Sequence, residues 1–295
     1  MHFESLKKRI NNYISTESNI LKPHQDFVKG LIKPALAIVC EERTADKSDS
    51  KKSKIGGKPL VNDEMSEFLK KNKDYVFVFQ LNFADIENYA QELSMPSNGL
   101  VSVFIKATSQ QNIRYLDPAH SKVFFSDDAK EIYKDYMPDL NILQSEFSFK
   151  ELLTIPDHED DIWEAMENDY DDFAFDCHEP LSDKIYEICK LPEYIATSYI
   201  GGYNSSVQYS VYYDFATIEL IDEPVYSKAY FEKREERWEK ILSKGHEYTQ
   251  LCQIETLSMN SNLKDYLDGV LYIGLRKEEL KNNDFSNLKF VVQNT

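Results

Sequence analysis

Glycine is scarce in this chain: 9 residues in 295, alongside only 4 cysteines and 2 tryptophans. So little glycine excludes collagen-like and glycine-rich disordered architectures. Cys40, Cys177, Cys189 and Cys252 are scattered, with no C-x-x-C among them, which removes the common zinc and dithiol spacings. No apolar run reaches the ~18–20 residues of a membrane helix. The opening M-H-F-E-S-L-K-K-R-I-N-N-Y-I has no apolar stretch of signal-peptide length, so a cytoplasmic chain with reduced thiols is expected. Positive charge is short too: 34 Lys and Arg stand against 51 Asp and Glu, a formal net charge of −17. Such a chain repels phosphate backbones and anionic lipid. Neither nucleic acid nor membrane is expected as a partner, and a macromolecular partner is expected to be basic.

Nucleotide and hydrolase signatures are also missing. There is no P-loop, G-x-G-x-x-G, G-x-S-x-G or H-E-x-x-H. The reading is therefore of a non-enzymatic protein with no cofactor and no metal, although a catalytic groove of new type stays open.

What is present is a core. Hydrophobic residues make up 42% of the chain and aromatics 13%, enough for one large domain or two intimate ones. Phe3, Leu6, Ile10 and Tyr13 fall at helical spacing and predict an amphipathic opening helix. Residues 43–58 read as an exposed loop ending in a Gly-Gly turn, and Asn62 as the cap of a short helix. Strands are expected at Tyr75 to Leu81, Leu100 to Ile105, Tyr248 to Ile254, Val270 to Leu275 and Leu288 to Gln293. Shorter strand signals lie at 113–116, 122–125 and 147–153, and 205–221 also reads as a strand. Helices are expected near 85–93, 128–136, 157–167 and 181–190. Another is expected from Tyr230 to Ser243, with Phe231, Arg234, Trp238, Ile241 and Leu242 inward and Gly245 stopping it. Short strands mixed with short helices, without β-α alternation, give an α+β protein with a largely antiparallel sheet and short flanking helices.

One three-part pattern occurs twice. S-K-I-G-G-K-P (53–59), F-V-F-Q-L-N (77–82) and N-G-L-V-S-V-F-I (98–105) recur as S-Y-I-G-G-Y (198–203), Q-L-C-Q-I-E (250–255) and D-G-V-L-Y-I-G-L (268–275). An internal duplication is expected, with units at about 53–105 and 198–275 and an insertion at about 110–195, preceded by an N-terminal helical segment and linker over 1–49. Gly56, Gly57, Gly201 and Gly202 are read as tight turns that need positive φ, and Gly99 and Gly269 as the turns opening the third element. Alternation along the strands puts Gln80 with Asn82, and Gln253 with Glu255, on equivalent faces. These four either satisfy neighbouring backbone or line a ligand groove between the halves.

These motifs, above all D-G-V-L-Y-I-G-L-R-K-E-E-L-K-N-N-D-F-S-N, resemble the YwqG-like family of bacterial proteins, from about residue 50 onward. The resemblance implies a single intracellular α+β protein and carries no established activity. Some members are encoded near toxin–immunity loci, which implies an immunity-like or accessory role. The chain departs from the family's pattern at Tyr203-Asn204 and at Tyr266-Leu267-Asp268.

The segment 157–179 holds 11 Asp or Glu and no Lys or Arg. It reads as a solvated acidic face, or as a docking surface for a basic protein built on Asp160, Asp161, Asp171 and Asp172, with Trp163, Tyr170, Phe173 and Phe175 as anchors. It lacks the glycine and terminal glutamate of an EF-hand loop. His158, Cys177 and His178 lack zinc-ligand spacing. Arg276 and Lys277 either face an anion or follow their strand into solvent. The leading expectation is a binding protein that engages a basic protein, and the alternative is the inter-repeat groove.

Overall fold

The fold is described from a computed structural model, which covers residues 2–40, 51–106, 121–137, 140–158, 160, 162–163, 170–191, 197–223, 227–259, 261–265 and 267–294. The strand signal at 113–116, and residues 43–50 of the expected loop, lie outside the described residues.

The chain opens with α1 (His2–Thr16) and α2 (Gln25–Gly30) and enters β1 (Lys33–Cys40). Short β2 (Lys54–Ile55) and β3 (Leu60–Val61) lead to α3 (Asp63–Lys71), β4 (Tyr75–Asn82), α4 (Ala90–Leu93) and β5 (Leu100–Lys106). Then come β6 (Ser121–Ser126), β7 (Glu131–Ile132), β8 (Ser145–Thr154) and the long α5 (Tyr170–Cys189). After β9 (Tyr199–Gly201) follow α6 (Val211–Leu220), α7 (Lys228–Glu236), α8 (Trp238–Gly245), β10 (Tyr248–Glu255), β11 (Val270–Arg276), α9 (Lys277–Lys281) and β12 (Lys289–Gln293).

Ten strands form one sheet in the order β12-β11-β10-β9-β1-β8-β2-β4-β5-β6, with every pairing antiparallel. The order is palindromic about the β1–β8 pair. On one side a two-residue strand, β2, leads to three longer ones; on the other, three-residue β9 does the same. The sheet curls until its outer strands β6 and β12 approach one another, so that it nearly closes.

Burial follows from this arrangement. In β1, Ala35, Leu36, Ala37 and Ile38 are all buried, because a central strand is covered on both faces. The opening helix contributes Phe3, Ile10 and Ile14 to the main core, with Leu6 and Tyr13 packed at its edge. From α5 come Cys177, Leu181, Ile185 and Ile188. Each flank of the sheet has its own outer cover. Met65 and Leu69 of α3 pack on Phe77, Phe104 and Phe124, and Val211, Phe215 and Ala216 of α6 pack on Tyr248, Val270 and Tyr272. Asn62 caps α3 as expected, its Oδ1 accepting from the Met65 N–H at 2.9 Å.

Four features differ from the sequence reading. The apolar run of β1 falls inside the segment read as helix and linker, yet it supplies a central strand, so a boundary near residue 50 does not divide the sheet. Residues 128–136 do not form a helix: Glu131 and Ile132 pair with Val61 and Leu60, and Tyr133 and Tyr136 are buried in the α3 cluster. Much of 205–221 is helical, because Val211, Phe215 and Ala216 share the face that meets the sheet, and packing overrides β-rich composition. The helix expected over 230–243 is two, broken at Arg237 (φ −106°, ψ 11°). That break turns Phe231 and Trp238 outward, 49% and 37% exposed, while Tyr230 and Ile241 point in.

A left-handed residue costs about 1–2 kcal/mol when it carries a Cβ. Gly56 has φ +65°, and a Cβ there would run into the Ile142 carbonyl. Gly56→Ala is expected to lose at least about 1–2 kcal/mol in urea unfolding. Gly30→Ala, with nothing within 4 Å of the added methyl, serves as the neutral control. Equal stability of the two variants would refute the turn assignment.

Candidate functional site

The two I-G-G turns hold the strands beside them through the same bonds. All four glycines have positive φ: 65° and 75° at Gly56 and Gly57, 72° and 71° at Gly201 and Gly202. Gln80 Nε2 donates to the Lys52 carbonyl at 2.7 Å and Oε1 accepts from the Leu60 N–H at 3.2 Å. Gln253 Nε2 donates to the Thr197 carbonyl at 2.8 Å and Oε1 accepts from the Ser205 N–H at 3.0 Å. Each amide therefore spans its own turn, tying the chain before it to the chain after it. The hydroxyl of Ser53 accepts from the Asn82 N–H at 2.8 Å, and that of Ser198 from the Glu255 N–H at 2.8 Å. Asn82 and Glu255 end their strands by accepting from the second residue beyond, Ala84 and Leu257. Gly99 and Gly269 also have positive φ, at 102° and 143°. Their carbonyls accept from Phe83 and Thr256. A bulge interrupts β4–β5 between Phe77 and Phe79, and β10–β11 between Gln250 and Cys252.

Gln80, Asn82, Gln253 and Glu255 do not meet in a groove. Strands β2, β8, β1 and β9 lie between β4 and β10, and each glutamine is buried and committed to its own turn. A cleft lined by both halves does exist, at the seam where β6 and β12 approach. Its walls are Ser94 to Asn98, Phe125 and Asp127 from one half and Leu280, Lys281, Asn283 and Phe285 from the other, enclosing about 1200 Å³ including its open mouth. Phe125 and Phe285 stack across the seam with centroids 4.3 Å apart.

A second cleft lies between α5 and the ends of β8 and β9, where the acidic segment begins. Asp157, His178, Ser182, Tyr186, Thr197 and Asn204 line it, within about 480 Å³ counting its mouth. His158 Nδ1 stands 3.0 Å from Asp157 Oδ1, and the rings of His158 and His178 are 5.6 Å apart. Burial lowers the pKa of His178, with the charge of Asp157 opposing it. Cys177 faces the core instead, and burial pushes its thiol up to about 12. Among the described residues no group of three or more His, Cys, Asp or Glu is placed to hold a metal ion. The sequence reading treated His158 and His178 only as failed zinc ligands. The link to β8 and β9 could not be seen without the sheet order.

The acidic segment divides. Trp163, expected as an anchor, is fully buried with its Nε1–H donating to the Asp157 carbonyl at 2.8 Å. It packs on Leu31 and Ala174. Asp160 is half-buried and caps Ile162 through Oδ1. Asp161 lies outside the described residues, as do the side chains of Tyr170, Asp171, Asp172, Phe173 and Phe175. Further along α5, Asp176, Glu179, Asp183 and Glu187 are all exposed. Their spacing of three, four and four residues aligns them as one stripe.

Residues 53–293 match a family described as a domain of unknown function, DUF1963. The chain belongs to this family. No curated protein matches it.

The matched region contains a charged clasp. Arg276, a possible anion site by sequence, is engaged by Glu219 of α6, which accepts from Arg276 Nε at 3.1 Å and from Arg276 Nη2. Lys244 of α8 reaches the same carboxylate at 2.9 Å, and the Tyr248 hydroxyl also donates to it. Lys277 Nζ donates to the His246 carbonyl at 2.7 Å. Burial alone would raise the pKa of Glu219, but hydrogen bonds from Arg276, Tyr248 and Lys244 outweigh it and hold the carboxyl at about 2.

Two outcomes follow from these bonds. Gln80→Leu and Gln253→Leu should each lose roughly 1–3 kcal/mol per stranded backbone group, measured by urea unfolding; neutral variants would mean that water replaces the amides. The depressed Glu219 carboxyl stabilises the fold fully above its unfolded pKa, 4.5, and that contribution disappears as pH falls toward 2. Glu219→Gln should therefore unfold at lower temperature than wild type at neutral pH, with the gap closing as pH falls through that window. A gap independent of pH would rule the clasp out.

Proposed function

We propose that this DUF1963 protein is a non-enzymatic binding protein that engages a basic protein through the outer face of α5. The observation that carries the proposal is the stripe of Asp176, Glu179, Asp183 and Glu187, which is exposed along one line of the helix on a chain of net charge −17. Opposite that stripe, Leu181, Ile185 and Ile188 anchor α5 in the core, so the carboxylates are presented by a rigid element. Charge so arranged steers a cationic partner and suppresses anionic ones. Lys184 neutralises Glu187 at 2.9 Å, which leaves the first three acids as the main contributors.

This reading keeps the YwqG-like likeness, a bacterial and cytoplasmic setting and an immunity-like role as parts of the proposal. The repeated glutamine, serine and glycine bonds support reading the two halves as diverged copies of one unit. Nucleic acid and membrane remain unexpected partners on charge grounds. A second reading, a ligand groove between the halves, is favoured by the seam cleft, where Gln91, Asn98 and Asn283 offer amides beside Phe125.

A lysine-rich peptide is the direct probe. Binding should weaken steeply with added salt, since exposed charges are screened over ~8–10 Å near physiological ionic strength. Changing Asp176, Glu179 and Asp183 together to their amides should slow association more than it speeds dissociation. Binding that ignores both salt and these changes would exclude α5 as the docking face.

A further inference from the structure

We propose that the seam cleft binds a neutral saccharide; the proposal rests on the reading of that cleft as a ligand groove. The cavity measures about 630 Å³ inside its mouth, in the middle of the ~300–1,000 Å³ range of ligand pockets.

The lining fixes the chemistry. Gln91, Asn98 and Asn283 bring amides, and Ser94 and Ser97 bring hydroxyls. Each of these groups both donates and accepts, as a sugar hydroxyl does. Among the described residues none of the five side chains has a hydrogen-bond partner within the protein, so all five are open to a ligand. One acid, Asp127, and one base, Lys281, line the cleft among the described residues. Their charges cancel, and on a chain of net charge −17 this balanced patch suits an uncharged ligand. An apolar one would take water from the amides and hydroxyls without replacing their hydrogen bonds. A sugar replaces those bonds around its edge, and its C–H faces pack against the negative face of an aromatic ring. Half-buried Phe125 offers that ring, held by Phe285, which stacks on it with an interplanar angle of 21°. Gly99 leaves room for it, since a Cβ there would overlap the tip of the Phe125 ring.

The two walls share a second feature, for each contains a helix end closed by the same pair of bonds. After α4, the Ser94 N–H donates to the Gln91 carbonyl at 3.2 Å and the Met95 N–H to the Ala90 carbonyl at 2.9 Å. After α9, the Asn283 N–H donates to the Leu280 carbonyl at 3.1 Å and the Asp284 N–H to the Glu279 carbonyl at 2.8 Å. This closure puts one residue at left-handed φ, and glycine is its usual occupant. Here the residue is Ser94, at φ 54°, on one wall and Asn283, at φ 53°, on the other. They are two of the three non-glycine residues with positive φ among those described. Both keep a polar side chain at the cleft where glycine would fit without steric strain, and backbone held in such regions clusters at ligand sites. The same bonds fix both walls before a ligand arrives.

The test follows the ring NMR signals of Phe125 and Phe285 in phenylalanine-labelled protein while maltose, cellobiose or N,N′-diacetylchitobiose is added. Acetyl-trialanine amide, equally neutral and rich in hydrogen-bonding groups, is the comparison. Saturable shifts are expected from at least one sugar and none from the peptide. Added salt should leave the sugar shifts unchanged, because the ligand carries no charge to be screened. Replacing Ser94 and Asn283 together by glycine should weaken sugar binding by about tenfold, the loss of two hydrogen bonds of ordinary strength. That variant should unfold no more easily in urea than wild type, since glycine relieves the left-handed backbone. Wild-type affinity in the double variant, or a loss of stability that accompanies the loss of binding, would overturn the proposal. Shifts from the peptide that equal or replace those from the sugars would overturn the saccharide and leave the groove standing. Silence from every probe would overturn both.

Discussion

The ladder between β1 and β8 carries the molecule. Eight residue pairs, from Lys33 opposite Thr154 to Cys40 opposite Phe147, join two strands far apart in sequence. To either side the sheet continues through very short strands, β2 with two residues and β9 with three. Ladders of that length offer few backbone bonds. What holds them is a set of side-chain bonds, in which a buried glutamine from the next strand clamps both ends of each I-G-G turn. The long strands beyond are joined to the central pair through those two clamps.

The two halves differ where their outer covers differ. Phe104 of β5 fills its own flank against Phe77 and Phe124. At the corresponding point of β11 stands Gly274, and a Cβ there would overlap the Phe215 ring. One half is filled from the strand and the other from the helix above it. Lys54 and Tyr199 differ in a like manner: each donates to the carbonyl four residues on, but one carries a charge and the other an uncharged ring.

What the sequence made legible was local. Glycines in fixed order with a glutamine-centred strand gave the turns, β4, β5, β10 and β11, because positive φ and two-residue alternation leave their marks within a few positions. The opening helix and the Asn62 cap were legible for the same reason. The central place of β1 was not, since L-A-I-V-C states that a segment is buried but not what lies on either side. Residues 211–220 were misread because Val, Tyr and Thr favour strands until a neighbouring sheet decides otherwise. Trp238 was placed inward by helical spacing, and the break at Arg237 undid that spacing. Both clefts depend on sheet order and curl, which are set by residues more than a hundred positions apart and have no local signature.

That central ladder also sets the order in which the chain can assemble. β1 is made early, yet its partners are residues 145–154 on one side and 199–201 on the other. Until those are present, a strand with four buried apolar positions has no neighbours. Contacts of such long sequence separation bring high loop-closure entropy and slow folding. A nascent chain would thus carry β1 exposed until residues 145–154 have been made, held by little more than α1 and α2. Its time on the ribosome, more than the stability of the finished sheet, is when the protein is open to aggregation.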